Sequence, residues 1–431
     1  MDGDKLDAIV VGAGPAGITA ARDLAAAGLS VVVLERGQFP GSKNVSGGIL
    51  YRQPTEEFAP GFEEDAPLER PIIEQRYLAL TGDAMLGGVY RSMKFAEKPY
   101  NAYSVLRSEF DQWFATKAEQ TGAEVYPEFT VTELLWENGA VAGVSTGEPE
   151  GELSAHVVVL ADGANSLLAR QAGLHKEWRP IEQALIAKEL INLPAEKIDD
   201  RFALPAGLGA AYEVFGESTW GLLGYGFIYT NRESISIGTG ALLEDLIKSG
   251  RNVNDMLDRF KKHPVIAPLI QGGETVEYSA HLIPEVGYDR MPQVYGGGVV
   301  VVGDAAGLVN PMNREGANLA MLSGRLAAQA IIEAKDKQDF SAASLSKYKQ
   351  LLDDSIIAAD MKKISKLTPF AHDRPQLFTT YPQTLSDAAF EYLSVDGLSK
   401  SAKQQKIAGM FTKLPKRQLA SDIFGVLKAM K

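Results

Sequence analysis

The feature that most constrains the fold lies near the start of the sequence. A short apolar run at residues 8–11 leads into Gly12, Gly14 and Gly17, which have the spacing G-x-G-x-x-G. Residues 15–27 then show a helix pattern that Gly28 ends, and residues 31–34 predict a second buried strand that finishes in Glu35. Strand, glycine turn, helix, strand and acidic end, in this order, are typical of a dinucleotide-binding unit.

Each part of this pattern has a physical reason. Gly12 permits a tight turn, the missing side chain of Gly14 leaves room for a pyrophosphate, and Gly17 allows the helix to pack closely on the strand. The helix N-terminus offers N–H groups and a positive dipole end to phosphates. Glu35 stands 18 positions after Gly17, where an acidic residue binds ribose hydroxyls. The alternative is a unit of the same fold without a ligand.

Composition excludes several classes of function. The 431 residues suffice for two or three domains, and 45% hydrophobic with 23% charged residues is typical of a globular protein. The sequence has no cysteine, so it forms no disulfide and holds no iron–sulfur cluster through its own thiolates. The five histidines show no metal-ligand spacing, and the net charge of −12 argues against nucleic-acid binding.

The sequence also predicts where the protein works. Its first residues are acidic and lack the basic and apolar regions of a signal peptide. The longest charge-free stretches, such as residues 218–231, are shorter than the roughly 20 residues of a membrane span. We therefore expect a cytoplasmic protein, with a peripheral contact to the inner face of the cell membrane left open.

Further elements point to the same ligand. Residues 103–114 predict a helix with Ser108 as N-cap, and Arg107 just before it either approaches a phosphate or is an ordinary surface arginine. Residues 157–160 and 299–302 predict two more buried strands. The second leads into Asp304, whose carboxylate can accept a hydrogen bond from a sugar hydroxyl.

The middle and the end of the chain have a different character. Residues 183–293 are rich in strand patterns and aromatic residues, and we expect a separate sheet domain that holds an acceptor pocket and any membrane contact. Most of its aromatic residues also fit an ordinary sheet core. From residue 399 onward, the chain has eight basic residues and one acidic residue, Asp422, which predicts a basic amphipathic tail. The tail either meets anionic lipid or an acidic partner, or packs on its own domain.

Several stretches together carry a resemblance to a known family. GAGPAG with Glu35, ADG at 161–163 and VGDAAG at 302–307 resemble the three-part signature of FAD proteins with the p-hydroxybenzoate hydroxylase type of fold. GSKNVSGGILY at 41–51, YSVLRSEFDQW at 103–113 and SAHLIPEVGYDRMPQ at 279–293 resemble, more specifically, the FixC family. These flavoproteins are related to electron-transfer-flavoprotein:quinone oxidoreductase.

The resemblance implies an α/β fold in three regions. A discontinuous Rossmann-like FAD-binding domain of the p-hydroxybenzoate hydroxylase or glutathione reductase type would take residues 1–74, 102–182 and 294–368. An inserted, mostly antiparallel sheet domain on the quinone side would take residues 75–101 and 183–293. A helical C-terminal region with the basic tail would take residues 369–431.

The resemblance also implies non-covalent FAD and a set of residues around it. The pyrophosphate would lie at the glycine turn, the adenosine ribose at Glu35, the adenine at the backbone of Val131 and the ribityl chain at Asp304. A helix N-terminus at residues 316–318 would stabilise the negative charge of the reduced ring. The full set of implied cofactor-binding residues is Gly12, Gly14, Pro15, Ala16, Gly17, Glu35, Arg36, Lys43, Asn44, Gly47, Gly48, Arg107, Val131, Ala161, Asp162, Gly163, Gly303, Asp304, Arg314, Gly316, Ala317 and Asn318.

The partners follow from the same resemblance. Members of the family work beside a two-subunit electron-transfer flavoprotein and a small ferredoxin-like iron–sulfur protein, in complexes that include electron-bifurcating ones. The first hypothesis is therefore an electron-transfer subunit that passes electrons from the partner flavoprotein to a quinone, with no acid–base pair or nucleophile of its own. The alternatives are a prenyl reductase like the geranylgeranyl reductases, an aromatic flavin monooxygenase, and a flavin-bound scaffold subunit.

Overall fold

The computed structural model describes residues 5–43, 47–310 and 315–429. In chain order, the strands are β1 (Leu6–Val11), β2 (Val31–Leu34), β3 (Gly47–Tyr51), β4 (Leu68–Leu80), β5 (Met85–Arg91), β6 (Ala102–Leu106), β7 (Glu124–Tyr126), β8 (Glu133–Glu137), β9 (Ala140–Ser145), β10 (Glu152–Leu160), β11 (Gln183–Asn192), β12 (Gly209–Gly216), β13 (Gly224–Thr230), β14 (Ser234–Leu242), β15 (Glu274–Pro284), β16 (Tyr295–Gly296) and β17 (Val299–Val301).

The helices complete the description. They are α1 (Pro15–Ala26), α2 (Arg52–Phe58), α3 (Arg107–Glu119), α4 (Leu167–Gln171), α5 (Ala195–Phe202), α6 (Leu243–Ser249), α7 (Val253–Lys262), α8 (Ala267–Ile270), α9 (Ala317–Asp336), α10 (Ala342–Asp353), α11 (Ile356–His372), α12 (Thr380–Leu393), α13 (Lys400–Thr412) and α14 (Lys416–Ala429).

The chain divides into two compact units. The first contains the chain up to Pro71, Pro99–Gln183 and His281–Ile364, and the second contains Ile72–Lys98, Ala184–Ala280 and the chain from Ser365 onward. Residues 281–293, which the sequence analysis assigned to the sheet domain, lie in the first unit. The C-terminal helices lie in the second.

The first unit is built on a parallel sheet. Its strands lie in the order β17-β10-β1-β2-β7, and all four neighbouring pairs are parallel. β1 and β10 are apolar at successive positions, so both faces of the sheet are buried; Ile9 and Val10, for example, are completely inaccessible to solvent. β16 pairs antiparallel with β17, and the β8–β9 hairpin is joined to the sheet through β10.

The strand order places the ligand-binding edge of this sheet. From β1 the chain passes through α1 to β2 on one side, while β10 lies on the other side of β1. The order therefore reverses at β1, and in open α/β sheets ligands bind at such a switch point, outside the carboxyl ends of the strands. The glycine turn after β1 and the turn after β10 meet there.

Close packing of small residues fixes α1. A Cβ on Gly17 would lie 2.1 Å from the carbonyl oxygen of Gly12, so only glycine allows this approach of α1 to the turn. On its other side, a Cβ on Gly324 of α9 would lie 2.2 Å from the carbonyl oxygen of Ala16. α1 is therefore held between the sheet and α9.

The second unit is a largely antiparallel sheet with helices. Its strands lie in the order β15-β11-β14-β13-β12-β4, and β5 pairs with β4. The β11–β14, β14–β13, β13–β12 and β4–β5 pairs are antiparallel, and the β12–β4 pair is parallel. The predicted fold class, a Rossmann-like FAD-binding unit with an inserted, mostly antiparallel sheet and a helical C-terminus, is confirmed.

One predicted element is wrong at its start. The sequence analysis placed a helix from residue 103 with Ser108 as its N-cap, but residues 103–106 belong to β6 and α3 begins at Arg107 with Leu106 in the N-cap position. β6 pairs antiparallel with β3, so the ladder hydrogen bonds of this pairing override the helix pattern. Asp111 accepts a hydrogen bond from Nε of Arg107.

Three aromatic residues of the second unit and part of its basic tail make packing or ion-pair contacts. Tyr212, Phe227 and Tyr229 are buried within the sheet. In the tail, Lys403 is buried and lies 3.0 Å from Asp396, while Asp422 is bound by Arg374. Of the alternatives for the tail, packing on its own unit is the one that these contacts support.

Candidate functional site

The glycine turn after β1 combines tight packing with one open position. Gly12 has a positive φ of 102°, and a Cβ there would lie 2.3 Å from the carbonyl oxygen of Ala161 in the turn after β10. A Cβ on Gly14, in contrast, would meet no atom of the described chain within 4 Å. Gly14 therefore borders open space at the N-terminus of α1, which is the space that a pyrophosphate would fill.

Glu35 lies beside this turn. Its Oε2 accepts a hydrogen bond of 2.9 Å from the backbone N–H of Ala13, and its Oε1 accepts one of 2.7 Å from that of Gly37. These bonds hold the carboxylate against the glycine turn, and each oxygen keeps a second lone pair for a ribose hydroxyl. The backbone N–H of Phe129 donates to the carbonyl of Glu35, which brings the segment before Val131 to the same strand end.

The turn after β10 contributes a carboxyl group with an unused oxygen. Asp162 Oδ2 accepts a hydrogen bond of 3.2 Å from the N–H of Leu168, whereas Oδ1 is buried and has no partner among the described residues. Burial raises the pKa of Asp162 to about 6, and the nearby charge of Arg36 partly opposes this. A buried acceptor without a partner is costly, and a ligand that donates to this oxygen would remove that cost.

Gly303 forms the third turn, after β17. Its φ is +61°, its backbone N–H donates to Ser323 Oγ at 2.9 Å, and a Cβ on it would lie 2.9 Å from that of Ala16. The next residue, Asp304, is surrounded by protein, and burial raises the pKa of its carboxyl group, while Arg107 opposes the shift. The structure thus brings Asp304 and Arg107 together although 197 positions separate them in the sequence.

Arg107 is fixed by a bidentate ion pair. Its Nε and Nη2 donate to the two carboxylate oxygens of Asp111 at 2.6 and 2.7 Å, and Asp111 is only 1% exposed. Such a planar pair holds the guanidinium in one orientation. Burial lowers the pKa of His281, and the charges of Arg36 and Arg107 add to this, which places His281 in the same neighbourhood.

The other predicted cofactor-binding residues lie in or near β3, at the start of α9, or outside the described part of the chain. Gly47 and Gly48 lie in β3, paired with Leu106 and Val105, and Lys43 is exposed in the turn before it. Gly316 is the N-cap of α9, and the Nδ2 of Asn318 donates to Glu315 Oε1 at 3.2 Å. Asn44 and Arg314 lie outside the described residues.

Sequence reasoning missed several residues of this site. Asp111 and Ser323, which hold Arg107 and Gly303, gave no signal in the sequence that linked them to this site. His281 lies in a stretch that carried the family resemblance, yet it received no role. Its place in that matched stretch is the signal that could have identified it.

The site fits FAD. Open space at Gly14, the orphaned Oδ1 of Asp162 and the carboxylate of Glu35 are the features that a dinucleotide with pyrophosphate and sugar hydroxyls would use. Arg107 provides positive charge at the Asp304 end. Redox chemistry would come from the cofactor, and the protein supplies binding, orientation and the electrostatic environment.

Two family models match the chain. One, described as FAD dependent oxidoreductase, matches residues 7–92, and the other, the ETF-QO/FixC family C-terminal domain, matches residues 367–431. The first covers the glycine turn and Glu35. The second covers the C-terminal helices of the second unit.

Curated relatives match over nearly the whole length. Protein FixC of Bradyrhizobium diazoefficiens is 48% identical and covers 95% of both chains, and Protein FixC of Azotobacter vinelandii is 47% identical over the same share. The probable electron transfer flavoprotein-quinone oxidoreductase YdiS of Escherichia coli is 40% identical over 98% of both chains.

Solved structures share the fold at low identity. A geranylgeranyl bacteriochlorophyll reductase-like protein from Thermoplasma acidophilum superposes with a TM-score of 0.72 at 22% identity, covering 96% of this chain and 98% of that one. The flavin-dependent brominase Bmp2 follows with a TM-score of 0.64 at 18% identity, covering 95% and 99%. The relatives, the two family models and the geometry of the site agree: the chain belongs to the FixC family and is an FAD-dependent oxidoreductase.

Proposed function

We propose that this chain is the FAD-dependent electron-transfer subunit of a larger complex, in which it takes electrons from a two-subunit electron-transfer flavoprotein and passes them to a quinone. One observation carries the proposal: the match to FixC proteins and to a probable electron transfer flavoprotein-quinone oxidoreductase extends over at least 94% of this chain. It therefore includes both units.

The chain's own residues would bind and orient the cofactor. The N-terminus of α1, with Gly12, Gly14, Pro15, Ala16 and Gly17, would hold the pyrophosphate, and Glu35 and Arg36 would lie at the adenosine. Arg107 and Asp304 would hold the phosphate and ribityl region. The residues around Gly48 and at the N-terminus of α9 would flank the ring.

A separate iron–sulfur subunit belongs to the same proposal. The sequence contains no cysteine, so this chain has no thiolates for a cluster, and a ferredoxin-like partner would supply one. Electron bifurcation, if the complex performs it, would depend on the partner flavoprotein. Co-purification of the chain with these partners from a strain that encodes them is the expected result.

A quinone acceptor requires access to a membrane surface. None of the helices in the described part of the chain has the length and apolar character needed to cross a bilayer. Phe390, Leu393 and Val395, at the end of α12, are 76%, 75% and 92% exposed, which supports a peripheral contact there. Vesicle flotation should therefore weaken when all three become serine and should persist when residues 399–431 are removed.

An anaerobic spectrum tests the electron donor. The purified chain should show oxidised-flavin bands that persist after NADH and NADPH are added, because the donor is another protein. Rapid bleaching by either nicotinamide would instead favour a self-sufficient prenyl reductase or monooxygenase. The likeness to the reductase-like structure, at 22% identity, shows the fold alone and does not favour that alternative.

Substitutions near the flavin distinguish an electron-transfer role from that of a flavin-bound scaffold subunit. If the chain transfers electrons, substitution of Gly48 or Asn318 should abolish electron transfer to a quinone analogue while the complex still assembles. Unchanged electron transfer after loss of the flavin would favour the scaffold.

A further inference from the structure

A group of polar side chains in the second unit is not among the residues of the candidate flavin site. Glu244 and Asp245 stand in the first turn of α6, and His372 is the last residue of α11. Asp245 and His372 are 127 positions apart in the sequence, so no spacing pattern could connect them. The fold of the second unit brings them together.

The three side chains converge on one ring nitrogen. His372 Nε2 lies 3.1 Å from Asp245 Oδ1 and 4.0 Å from Glu244 Oε2. Each residue offers one ligand atom, and these atoms all lie within 4.8 Å of one another. A tetrahedral Zn²⁺ ion with bonds of about 2.1 Å separates its ligand atoms by about 3.4 Å, so a shift of about 1 Å in the side chain of Glu244 would complete such a site.

Hydrogen bonding to the ring satisfies only one of the two carboxylates. In its neutral form the imidazole has one N–H, which can donate from Nε2 to Asp245. Glu244 Oε2, at 4.0 Å, lies beyond hydrogen-bond distance from the same nitrogen. A divalent cation between the three groups would balance both carboxylate charges and would use the lone pair of the ring nitrogen.

The surroundings of the cluster suit a bound cation. On the other side of the ring, His372 Nδ1 lies 3.9 Å from Asp373 Oδ1. With a metal ion at Nε2, the ring proton is on Nδ1 and faces this carboxylate, an arrangement that is common around metal-bound histidines. Glu244 Oε2 also lies 2.9 Å from Lys248 Nζ, but this lysine side chain is 64% exposed. An exposed pair of this kind adds little stability, so an ion can displace the lysine.

We propose that Glu244, Asp245 and His372 bind one divalent transition-metal ion, with Zn²⁺ the best fit, and that the ion fixes the end of α11 to the start of α6. An imidazole ligand favours Zn²⁺ over Mg²⁺ and Ca²⁺, which take oxygen ligands. Three protein ligands leave the fourth position of a tetrahedral ion to water, and the side chains are partly exposed, which lets water and the ion reach them. The proposal does not depend on the electron-transfer function.

Competition for Zn²⁺ with a chromophoric chelator tests the proposal on the full-length, untagged chain after metal has been removed. The wild type should bind one Zn²⁺ per chain, and Asp245→Asn and His372→Gln should each weaken the binding at least about tenfold. Lys248→Gln should bind Zn²⁺ at least as tightly as the wild type, because a competing cation is gone. His175→Gln removes a histidine of the first unit and should leave the affinity unchanged.

Thermal unfolding gives a second readout. Zn²⁺ should raise the unfolding midpoint of the wild type and of Lys248→Gln, but not that of His372→Gln, because an ion that binds only the folded state stabilises it. If His372→Gln fails to fold, Asp245→Asn, which keeps the shape of the side chain, decides the question.

Two results would overturn the proposal. A wild type that binds no Zn²⁺ would show that the cluster is an ion pair only. Equal affinity of the wild type, Asp245→Asn and the folded His372→Gln would show that Zn²⁺ binds elsewhere. Either result would leave the electron-transfer proposal intact, since that proposal uses none of these three residues.

Discussion

Two carboxyl groups, one in each unit, have opposite surroundings. Glu74 of the second unit is 1% exposed, and its two oxygens accept from Arg76 at 2.6 Å and Arg91 at 2.5 Å. Asp162 of the first unit has one buried oxygen without a partner and a pKa raised by burial to about 6. The protein completes the contacts of Glu74 and leaves those of Asp162 open.

Whether a carboxyl group has all its partners within the protein distinguishes a group that stabilises the fold from one that is available to a ligand. A saturated ion pair stabilises the fold, and removing one partner leaves the other charge uncompensated. An unsatisfied buried acceptor lowers stability unless a ligand completes it. The same contrast separates Gly17, where protein atoms fill the space of a Cβ, from Gly14, where that space is open.

The largest expected effect on stability comes from Glu74, whose carboxylate has both of its arginine partners. Glu74→Ala should lower the free energy of unfolding by about 4 kcal/mol, because Arg76 and Arg91 lose their shared carboxylate. FAD affinity should not change, since Glu74 belongs to the sheet unit. Chemical denaturation and a flavin titration measure the two quantities. A variant as stable as the wild type would show that the two arginine contacts of Glu74 do not stabilise the fold, and the contrast with Asp162 would fail.

Gly17→Ala should have the second largest effect on stability. Its Cβ would lie 2.1 Å from the carbonyl oxygen of Gly12, so α1 must shift, and we expect a loss of about 2 to 3 kcal/mol. Gly14→Ala is the matched control, and its stability without FAD should stay within about 0.5 kcal/mol of the wild type. Thermal unfolding of both variants without FAD measures this, and equal destabilisation would show that the Gly14 position is not open.

Asp162 should make stability depend on pH in the chain without FAD. With its pKa raised to about 6, Asp162 holds its proton in the folded chain up to about pH 6, whereas the unfolded chain releases it near 3.8, the ordinary pKa of an aspartate. The folded state therefore binds more protons in between, and the free energy of unfolding should fall by about 2 kcal/mol as pH rises from about 4 to about 6.

Asp162→Asn should remove that part of the pH dependence. Denaturation midpoints measured across this range for both proteins test the prediction. Parallel profiles would mean that burial does not raise the pKa of Asp162 in the folded chain.

The smallest effect should come from the end of the chain. Tyr381 donates a 2.6 Å hydrogen bond to Asp422, which Arg374 and Gln376 also bind. Tyr381→Phe should cost about 1 kcal/mol, because the carboxylate keeps two partners. Denaturation curves measure it. No change in stability would mean that the Tyr381–Asp422 hydrogen bond adds nothing to the stability of the second unit.

The sequence predicted the parts of the site that obey local rules. The turn at Gly12, the helix from Pro15 and the acidic end at Glu35 follow from spacing, because each depends on neighbours within about 20 residues. The helix predicted from residue 103 failed because pairing of β6 with β3 is non-local. The approach of Arg107 to Asp304 depends on tertiary packing that no local pattern records.

The most direct test of the account is an FAD titration of Gly14→Ala against the wild type. The account predicts that the variant folds with wild-type stability but binds FAD at least about tenfold more weakly, a loss of about 1.4 kcal/mol, because the new methyl group occupies the space of the pyrophosphate. Equal affinity of the two proteins for FAD would contradict it, since the open position at the glycine turn would then not be where the cofactor lies.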